Sequence, residues 1–161
     1  MMEYQIRRAT PKDLPRILEI YSFARSFMEK TGNPNQWGKT NPPESQLVAD
    51  IRNGDLYVAE SDQIHGVFFF AMGEDPTYRE IFEGAWGSAM PYGTIHRIAG
   101  DGSGGIVKAA VQFAKETTDH IRIDTHKDNR VMQHVLEKLG FIRRGIIYIA
   151  DGSPRIAYEM I

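Results

Sequence analysis

A glycine-rich turn is the stretch of this sequence whose residue types and spacing most clearly suggest chemistry. Four glycines fall within six residues, at Gly100, Gly102, Gly104 and Gly105, between an apolar strand-like segment and a segment with helical spacing. Glycines leave backbone N–H groups uncovered, and the first N–H groups of the following helix have no partner within that helix. The turn therefore predicts a site for a phosphate or a similar anion.

The glycine spacing by itself is compatible with a dinucleotide cofactor. The string Gly100-x-Gly102-x-x-Gly105 matches the dinucleotide fingerprint, and Asp124 ends the next strand about where a ribose-binding acid is expected. However, a dinucleotide-binding fold begins with this unit and repeats it, whereas several predicted strands precede it here. His96 and Arg97 also fit poorly in a central strand that helices cover on both faces. An NAD(P)-binding protein is therefore kept as an alternative only.

The elements that must position the turn follow from apolar periodicity and from turn-forming residues. The pattern predicts strands over 3–8, 56–60, 65–72, 94–99, 121–125, 142–150 and 155–160. It predicts helices starting at Thr10-Pro11, over 44–53, over 105–118 and after Asp128 or Asn129, with a short helical piece around Ile81 and Phe82. One β-α-β crossover among antiparallel hairpins indicates a mixed sheet in a single domain over residues 1–161.

Composition argues against several classes of function. The chain has no cysteine, which excludes disulfides, thiolate nucleophiles and cysteine-based metal sites. The net charge is −2 and no Lys/Arg cluster occurs, so we expect no nucleic-acid partner. The first eight residues lack the apolar core of a signal peptide, and the longest apolar run, 67–72, is too short for a membrane span. We therefore expect a cytoplasmic protein with no membrane partner.

We also expect no metal, because the histidines His65, His120 and His134 have no second ligand at metal-binding spacing.

A second motif follows the turn. Residues 128–141, DNRVMQHVLEKLGF, match the pattern Asn-x-x-Ala-x-x-x-Tyr-x-x-x-Gly-Phe at Asn129, Gly140 and Phe141. Together with the order of elements, this motif resembles the GNAT superfamily of N-acetyltransferases over nearly the whole chain. The resemblance implies an α/β fold of the α+β type, with a mixed, mostly antiparallel central sheet of about seven strands and helices on both of its faces.

The resemblance further implies acetyl-CoA as the co-substrate at the glycine turn. The family's turn, Arg/Gln-x-x-Gly-x-Gly/Ala, corresponds here to Gly102-x-x-Gly105-x-Val107, in which only the middle glycine agrees. Gly102 supplies no guanidinium or amide and Val107 adds a branched side chain, so we expect weaker CoA binding. By this resemblance, backbone groups of Ile98, Ala99 and Gly100 would pair with the pantetheine arm, and Asn129 would contact it. The pyrophosphate would be surrounded by Gly102, Ser103, Gly104, Gly105, Ile106 and Val107.

Acetyl transfer from a thioester to an amine needs a base for the amine, stabilisation of the oxyanion and a proton for the departing thiolate. His96, on the strand expected beside the thioester, is the candidate base, and His126 is a second candidate. Structural roles are the alternative, with Arg97 paired to Asp124 across the two strands. The family's acid, a tyrosine, corresponds to Leu136, whose apolar side chain suits the core. Tyr148 is the nearest other tyrosine, and water is the other proton source.

The loops supply candidate residues for the acceptor site. Glu74 and Asp75 could attract an ammonium group, or could be ordinary loop carboxylates. Aromatic side chains could wall an amine pocket or simply pack, and these are Trp37, Tyr78, Trp86 and Tyr92.

We therefore expect an N-acetyltransferase that moves an acetyl group from acetyl-CoA directly to a primary amine of a small molecule or peptide. The alternative from another class is a catalytically silent acyl-CoA-binding or sensing module, which the missing tyrosine and the altered turn favour. The sequence leaves the oligomeric state open, with a homodimer as one option.

Overall fold

A seven-stranded sheet forms the centre of the fold. The computed structural model describes residues 3–161. Met1 and Met2, which belong to the eight-residue segment predicted not to be a signal peptide, lie outside the described residues. The strands are β1 (Gln5–Arg8), β2 (Leu56–Glu60), β3 (Ile64–Met72), β4 (Gly93–Gly100), β5 (Ile121–Thr125), β6 (Ile142–Tyr148) and β7 (Pro154–Met160). Their order across the sheet is β1-β2-β3-β4-β5-β7-β6. Among the described strands only β4 and β5 pair in parallel, so the predicted mixed, mostly antiparallel sheet is confirmed.

Within residues 3–161, four α-helices accompany the sheet: α1 (Leu14–Lys30), α2 (Glu44–Asn53), α3 (Ile106–Ala114) and α4 (Arg130–Lys138). Their ends follow local sequence. The Asp13 carboxylate accepts hydrogen bonds from the Thr10 N–H and hydroxyl, at 2.8 and 3.1 Å, ahead of α1. Gly54 ends α2 in the left-handed region, with a φ of 74°. The Asn129 side chain accepts from the Met132 N–H at 3.0 Å and caps α4.

The helices cover both faces of the sheet, because alternate residues of a strand point to opposite faces. On β2, Leu56 and Val58 join the core cluster beneath α1 and α2. Tyr57 points the other way and contacts Phe113 of α3, with ring centroids 4.7 Å apart. Helices α1 and α2 lie on one face of the sheet. On that same face, the strands β5, β7 and β6 are covered by the segment 73–92 instead of a helix, and Tyr78 and Tyr92 of this segment pack onto the strands.

Two sequence predictions about local structure were wrong. Helix α3 ends at Ala114 rather than Thr118, and residues 115–117 form a turn. The helical piece around Ile81 and Phe82 is absent from the described structure, and a 3-10 turn occupies Pro76–Tyr78 instead. Phe82 and Ile146 exchange backbone hydrogen bonds of 2.7 and 2.8 Å, so this segment adds a bridge to the outer edge of β6. A Cβ on Gly84 would lie 1.8 Å from the Arg144 carbonyl oxygen, which explains the glycine there.

Candidate active site

Strand β4 separates from β5 near the middle of the sheet. The two strands pair only at Gly93 with Ile121 and at Thr94 with Arg122. Beyond Thr94, no residue of β5 pairs with β4 anywhere in the described chain, so residues 98–100 of β4 have no neighbouring strand on that side.

A bulge in β4 redirects the strand at the point of separation. Arg97 has a φ of 50°, a left-handed value that is uncommon for a residue other than glycine, and the pairing with β3 shifts register beside it. The Arg97 guanidinium is held by Asp50 of α2 at 2.9 Å and lies 4.7 Å from the centre of the Phe69 ring. The predicted pair between Arg97 and Asp124 was wrong, because the bulge directs Arg97 toward α2.

An apolar cleft of about 400 Å³, here called the glycine-turn cleft, opens beside the end of β4. It lies between α1, the glycine turn, the start of α3 and the first turns of α4. Its lining includes nearly all of the predicted cofactor residues: Ile98, Ala99, Gly100, Gly102, Gly104, Gly105, Ile106, Val107 and Asn129. Ser103 is not among the lining residues. Lys108, in the first turn of α3, carries the only cationic side chain among the described lining residues.

The geometry of the turn explains why a glycine stands at position 102. Gly102, Gly104 and Gly105 all have positive φ, at 94°, 89° and 78°. A Cβ on Gly102 would lie 3.1 Å from the tip of the Phe23 ring, so α1 occupies the space that a longer side chain would need. The hydroxyl of Tyr4 donates to the Gly104 carbonyl at 2.6 Å and anchors the turn to the N-terminal segment.

An ion-pair network lies beside the turn. The Asp101 carboxylate contacts Arg16 at 2.8 Å and the Nδ1 atom of His65 at 2.7 Å, while the Nε2 atom of His65 contacts Asp62 at 2.6 Å. Hydrogen bonding to Asp62, reinforced by Asp101, raises the pKa of His65. Arg16 and His65 therefore both contact the one carboxylate within the turn.

Asn129 connects the cleft to the loop that follows α1. Its Nδ2 group donates to Oε1 of Gln36 at 2.9 Å, and Gln36 Oε1 also accepts from Asn33 at 2.8 Å. The loop is thereby held against the N-terminus of α4.

A second, polar cavity of about 730 Å³, here called the His96 cavity, lies on the α1 and α2 face of the sheet. Its walls come from the loop after α1, from α2, from β4 and β5, and from residues 149–155 between β6 and β7. Ile98 lines both this cavity and the glycine-turn cleft, so the two spaces meet at Ile98.

His96 lies between two carboxylates at the floor of this cavity. Its Nε2 atom is 2.6 Å from Asp75 and its Nδ1 atom is 3.7 Å from Asp124. Burial would raise the pKa of Asp75, but hydrogen bonds from His96 and Thr77 outweigh it and lower the pKa to about 2. Because the Asp75 carboxylate accepts hydrogen bonds, the Nε2 atom is the donor in this contact, and Nδ1 is the ring nitrogen that faces Asp124.

Tyr78 orients the second carboxylate. The tyrosine is buried and donates its hydroxyl to Oδ1 of Asp124 at 2.6 Å. Burial, together with Asp124, raises the pKa of Tyr78 well above its usual range, so the hydroxyl remains a donor. Tyr92 accepts a hydrogen bond from the Asp75 N–H at 2.8 Å and helps to fix that residue.

Of the other predicted acceptor residues, only Trp37 lines the His96 cavity, where its ring also packs edge-on against Tyr21 at 5.5 Å. Trp86 and Tyr92 instead sandwich Arg122, each with its ring centre 4.0 Å from the guanidinium carbon. With Glu74 and Tyr78 they line a separate pocket of about 610 Å³ rather than the His96 cavity, so their place in an acceptor site stays a prediction. Glu74 forms an exposed ion pair with Arg79 at 2.7 Å and does not line the cavity.

The two alternative proton carriers lie elsewhere. Tyr148 is 46% exposed, packs edge-on against Phe82 and lines a separate depression, so it lies outside both the glycine-turn cleft and the His96 cavity. His126 lines neither space and accepts a hydrogen bond from the Asp128 N–H at 3.0 Å. Leu136 is fully buried in the core, which agrees with its structural interpretation.

Sequence reasoning missed Arg155, Asp50 and Gln36, and it gave Asp124 a different role. Arg155 and Asp124 lie on neighbouring strands β7 and β5, where Asp124 follows the buried Ile123 and Arg155 precedes the buried Ile156. A charged residue at a buried strand position was the available signal. Asp50 and Gln36 carry no such signal, because they reach the cavity only through the path of α2 and the loop before it.

Within residues 3–161, no three His, Asp or Glu side chains are grouped so that they could hold a metal ion. No helix in the same range is long and apolar enough to cross a membrane.

Known proteins resemble this chain in structure. No protein-family model matches the sequence, and no curated protein matches it. A GNAT-family acetyltransferase from Streptococcus agalactiae is 31% identical, with a TM-score of 0.87 over 98% of this chain and 95% of that one. A putative acetyltransferase from Staphylococcus aureus is 21% identical, with a TM-score of 0.68 over 96% and 97% of the two chains.

A third protein, a ribosomal-protein-alanine N-acetyltransferase from Brucella melitensis, is 19% identical, with a TM-score of 0.61 over 98% and 99%. The two more distant structures support the fold alone. The S. agalactiae protein combines substantial identity with nearly complete coverage of both chains. On this evidence, the chain belongs to the GNAT family of acetyltransferases.

Proposed function

We propose that this protein transfers an acetyl group from acetyl-CoA directly to a primary amine of a small molecule or peptide. The observation that carries the proposal is the meeting of two spaces at Ile98. One is apolar and ends at a glycine turn, and the other contains a histidine between two carboxylates. A thioester delivered through the first would reach an amine held in the second.

The residues of the glycine-turn cleft fit acetyl-CoA. The unpaired side of β4 at residues 98–100 offers backbone groups to the amides of a pantetheine arm, as a neighbouring strand would. The N–H groups that begin α3 favour an anion, and Lys108 adds a positive charge. Apolar side chains of α1 and α4, including Phe27 and Met132, cover the rest of the cleft.

The His96 cavity fits an amine acceptor. We assign the general base to Nδ1 of His96, with Asp75 fixing the ring through its contact with Nε2. Asp124 lies on the Nδ1 side and would hold the incoming ammonium group beside the base. His96 would take one proton from this group, and the free amine would then attack the thioester carbonyl.

Proton delivery to the departing thiolate has no assigned side chain. Leu136 occupies the family's tyrosine position in the core, and no tyrosine is among the described residues that line the glycine-turn cleft. We assign this proton to water. The same observation favours the second candidate function, a catalytically silent module that binds acyl-CoA.

Two measurements test the proposal. Thermal-shift titrations should show stabilisation by acetyl-CoA and CoA, and stabilisation by NAD or NADP alone would contradict it. Release of free CoA should then be followed with acetyl-CoA and a panel of amino acids, polyamines and peptides. Turnover with at least one amine is expected, whereas CoA binding without turnover across the panel would favour the silent module.

A further inference from the structure

Arg155 is a buried cation without a carboxylate partner. Only two arginines of the described chain are more than nine-tenths buried, Arg122 and Arg155, each 5% exposed. Arg122 lies 3.4 Å from Glu159 and between two aromatic rings. No carboxylate within residues 3–161 comes within 4.0 Å of the Arg155 guanidinium. Buried charges are normally paired, so Arg155 is the exception that needs an explanation.

The contacts that hold Arg155 are all neutral. Its guanidinium donates to the Ser153 hydroxyl at 3.1 Å, to the Pro154 carbonyl at 2.8 Å and to the Gln36 carbonyl at 3.2 Å. Burial lowers the pKa of Arg155, and the more distant Asp124 and Asp151 oppose this effect. The guanidinium is therefore fixed in place while its charge is not compensated by direct contact.

Arg155 lines the same cavity as the proposed base. Asp124 is paired with Ala157 across β5 and β7, and Arg155 precedes Ala157 by two residues. Arg155 and Asp124 therefore lie on one face of the sheet as diagonal neighbours, a relation that separates residues by about 7–8 Å. The Asp124 carboxylate, which can bind a cation, and the Arg155 guanidinium, which can bind an anion, are thus diagonal neighbours on adjacent strands.

From this arrangement we infer that the acceptor is a small amine that also carries a carboxylate, as an α-amino acid does. This inference rests on the proposed function and specifies the substrate class of the same site. The ammonium group lies between Asp124 and His96, and the carboxylate pairs with the guanidinium of Arg155. In the reaction, the amine nitrogen bonds to the acetyl carbon and the carbon–sulfur bond breaks. His96 receives the first proton that the ammonium group loses, and the second reaches the departing thiolate through water. Arg155 takes no part in proton transfer and acts as a specificity residue.

The test compares standard α-amino acids with the amines that lack only their carboxylate. Binding of each pair to the CoA-saturated protein is measured by calorimetry. At least one amino acid should bind about 10- to 100-fold more tightly than the amine that lacks its carboxylate, because a charge-assisted hydrogen bond contributes a free energy of that size. Arg155→Gln should remove this preference, and Arg155→Lys should keep part of it. Arg143→Gln, at an exposed arginine of β6, is the matched control and should keep all of it.

A purely structural Arg155 predicts a different pattern. Loss of its bond to Gln36 would weaken amino acids and amines equally, and this result would overturn the inference. Absence of a carboxylate preference in the wild-type protein would do the same. If Arg155→Gln does not fold, Arg155→Lys is compared with the wild type instead. A smaller preference for amino acids over amines in Arg155→Lys supports the inference, and an equal weakening of both contradicts it.

Turnover separates this inference from the proposed function. Acetylation of amines regardless of a carboxylate would contradict the inference and leave the proposed function intact. Binding that depends on the carboxylate and on Arg155, without any turnover, would support the inference and contradict the proposed function.

Discussion

The glycine-turn cleft and the His96 cavity are adjacent, but different kinds of chemical group line them. The cleft offers backbone groups, apolar side chains and a single cation, Lys108. The cavity offers charged side chains from distant parts of the chain, among them Asp75, His96, Asp124 and Arg155. A site that binds its ligand through backbone groups keeps its affinity when side chains are substituted. A site that binds through side chains loses function when one of them is replaced. This difference predicts that mutations should separate binding of acetyl-CoA from reaction with the amine.

The largest expected effect comes from removing the proposed base. His96→Ala should lower kcat by about 100- to 10,000-fold, the usual contribution of a positioned base. The affinity for acetyl-CoA should not change, because His96 does not line the glycine-turn cleft. Steady-state kinetics and calorimetry measure the two quantities. His134→Ala, at an exposed histidine of α4, serves as the control, and unchanged turnover of His96→Ala near neutral pH would remove His96 from the mechanism.

A smaller effect is expected for Asp75, which orients His96 without contacting the reacting atoms. Asp75→Asn keeps the size of the side chain and removes its charge. Loss of the charge-assisted bond of 2.6 Å should lower kcat by about 10- to 100-fold and shift the dependence of kcat on pH. A profile that keeps its shape while the rate falls would show that Asp75 has only a structural role.

A stability prediction concerns the other side of the comparison. Gly102→Ala should lower the free energy of unfolding by about 1–3 kcal/mol, because its φ is positive and a Cβ would meet Phe23. Gly32→Ala is the matched control, since Gly32 has a similar φ of 87° and no neighbour within 4 Å of the added carbon. Chemical denaturation should show a larger loss for Gly102→Ala.

The same geometry bears on binding. Gly102→Arg, which places the family's residue in the turn, should weaken the binding of acetyl-CoA. Tighter binding would show that Phe23 gives way easily and that the turn is more adaptable than its geometry implies.

The smallest expected effect is a pH dependence of stability at His65. Its pKa is raised in the folded protein, so its contribution is fully present below the unfolded value of about 6.5. That contribution is lost as the pH rises through the folded pKa. Unfolding followed from acidic to alkaline pH should therefore show a decline of up to about 1 kcal/mol that His65→Gln lacks. An identical decline in both proteins would exclude His65 as its source.

The sequence predicted the elements of the fold well because their signals are local. Apolar periodicity identified all seven strands, and the residues at Thr10, Gly54 and Asn129 marked helix ends. The turn and the start of α3 in the glycine-turn cleft were predicted from the family resemblance, whose motif is contiguous there, whereas the wall that α1 contributes was not predicted. The helical piece near Ile81 failed because pairing with the edge of β6 outweighed its local spacing.

The His96 cavity was predicted less completely because long-range packing assembles it. The bulge at Arg97 sends that side chain to Asp50, which lies 47 residues away in sequence. Trp86 and Tyr92 enclose Arg122 and line a separate pocket with Glu74 and Tyr78, away from the His96 cavity. Arg155 is held by the carbonyl of Gln36, 119 residues away. None of these partners can be inferred from spacing along the chain.

The central claim is that acetyl-CoA and the amine occupy different spaces that meet at Ile98. Amide chemical-shift mapping during titration with acetyl-CoA tests it most directly. We predict shifts centred on residues 98–108 and 129–135, and a second set near residues 75, 96 and 124 only when an acceptor amine is added with CoA. Shifts from acetyl-CoA centred on the His96 cavity, with the glycine turn unaffected, would contradict the account.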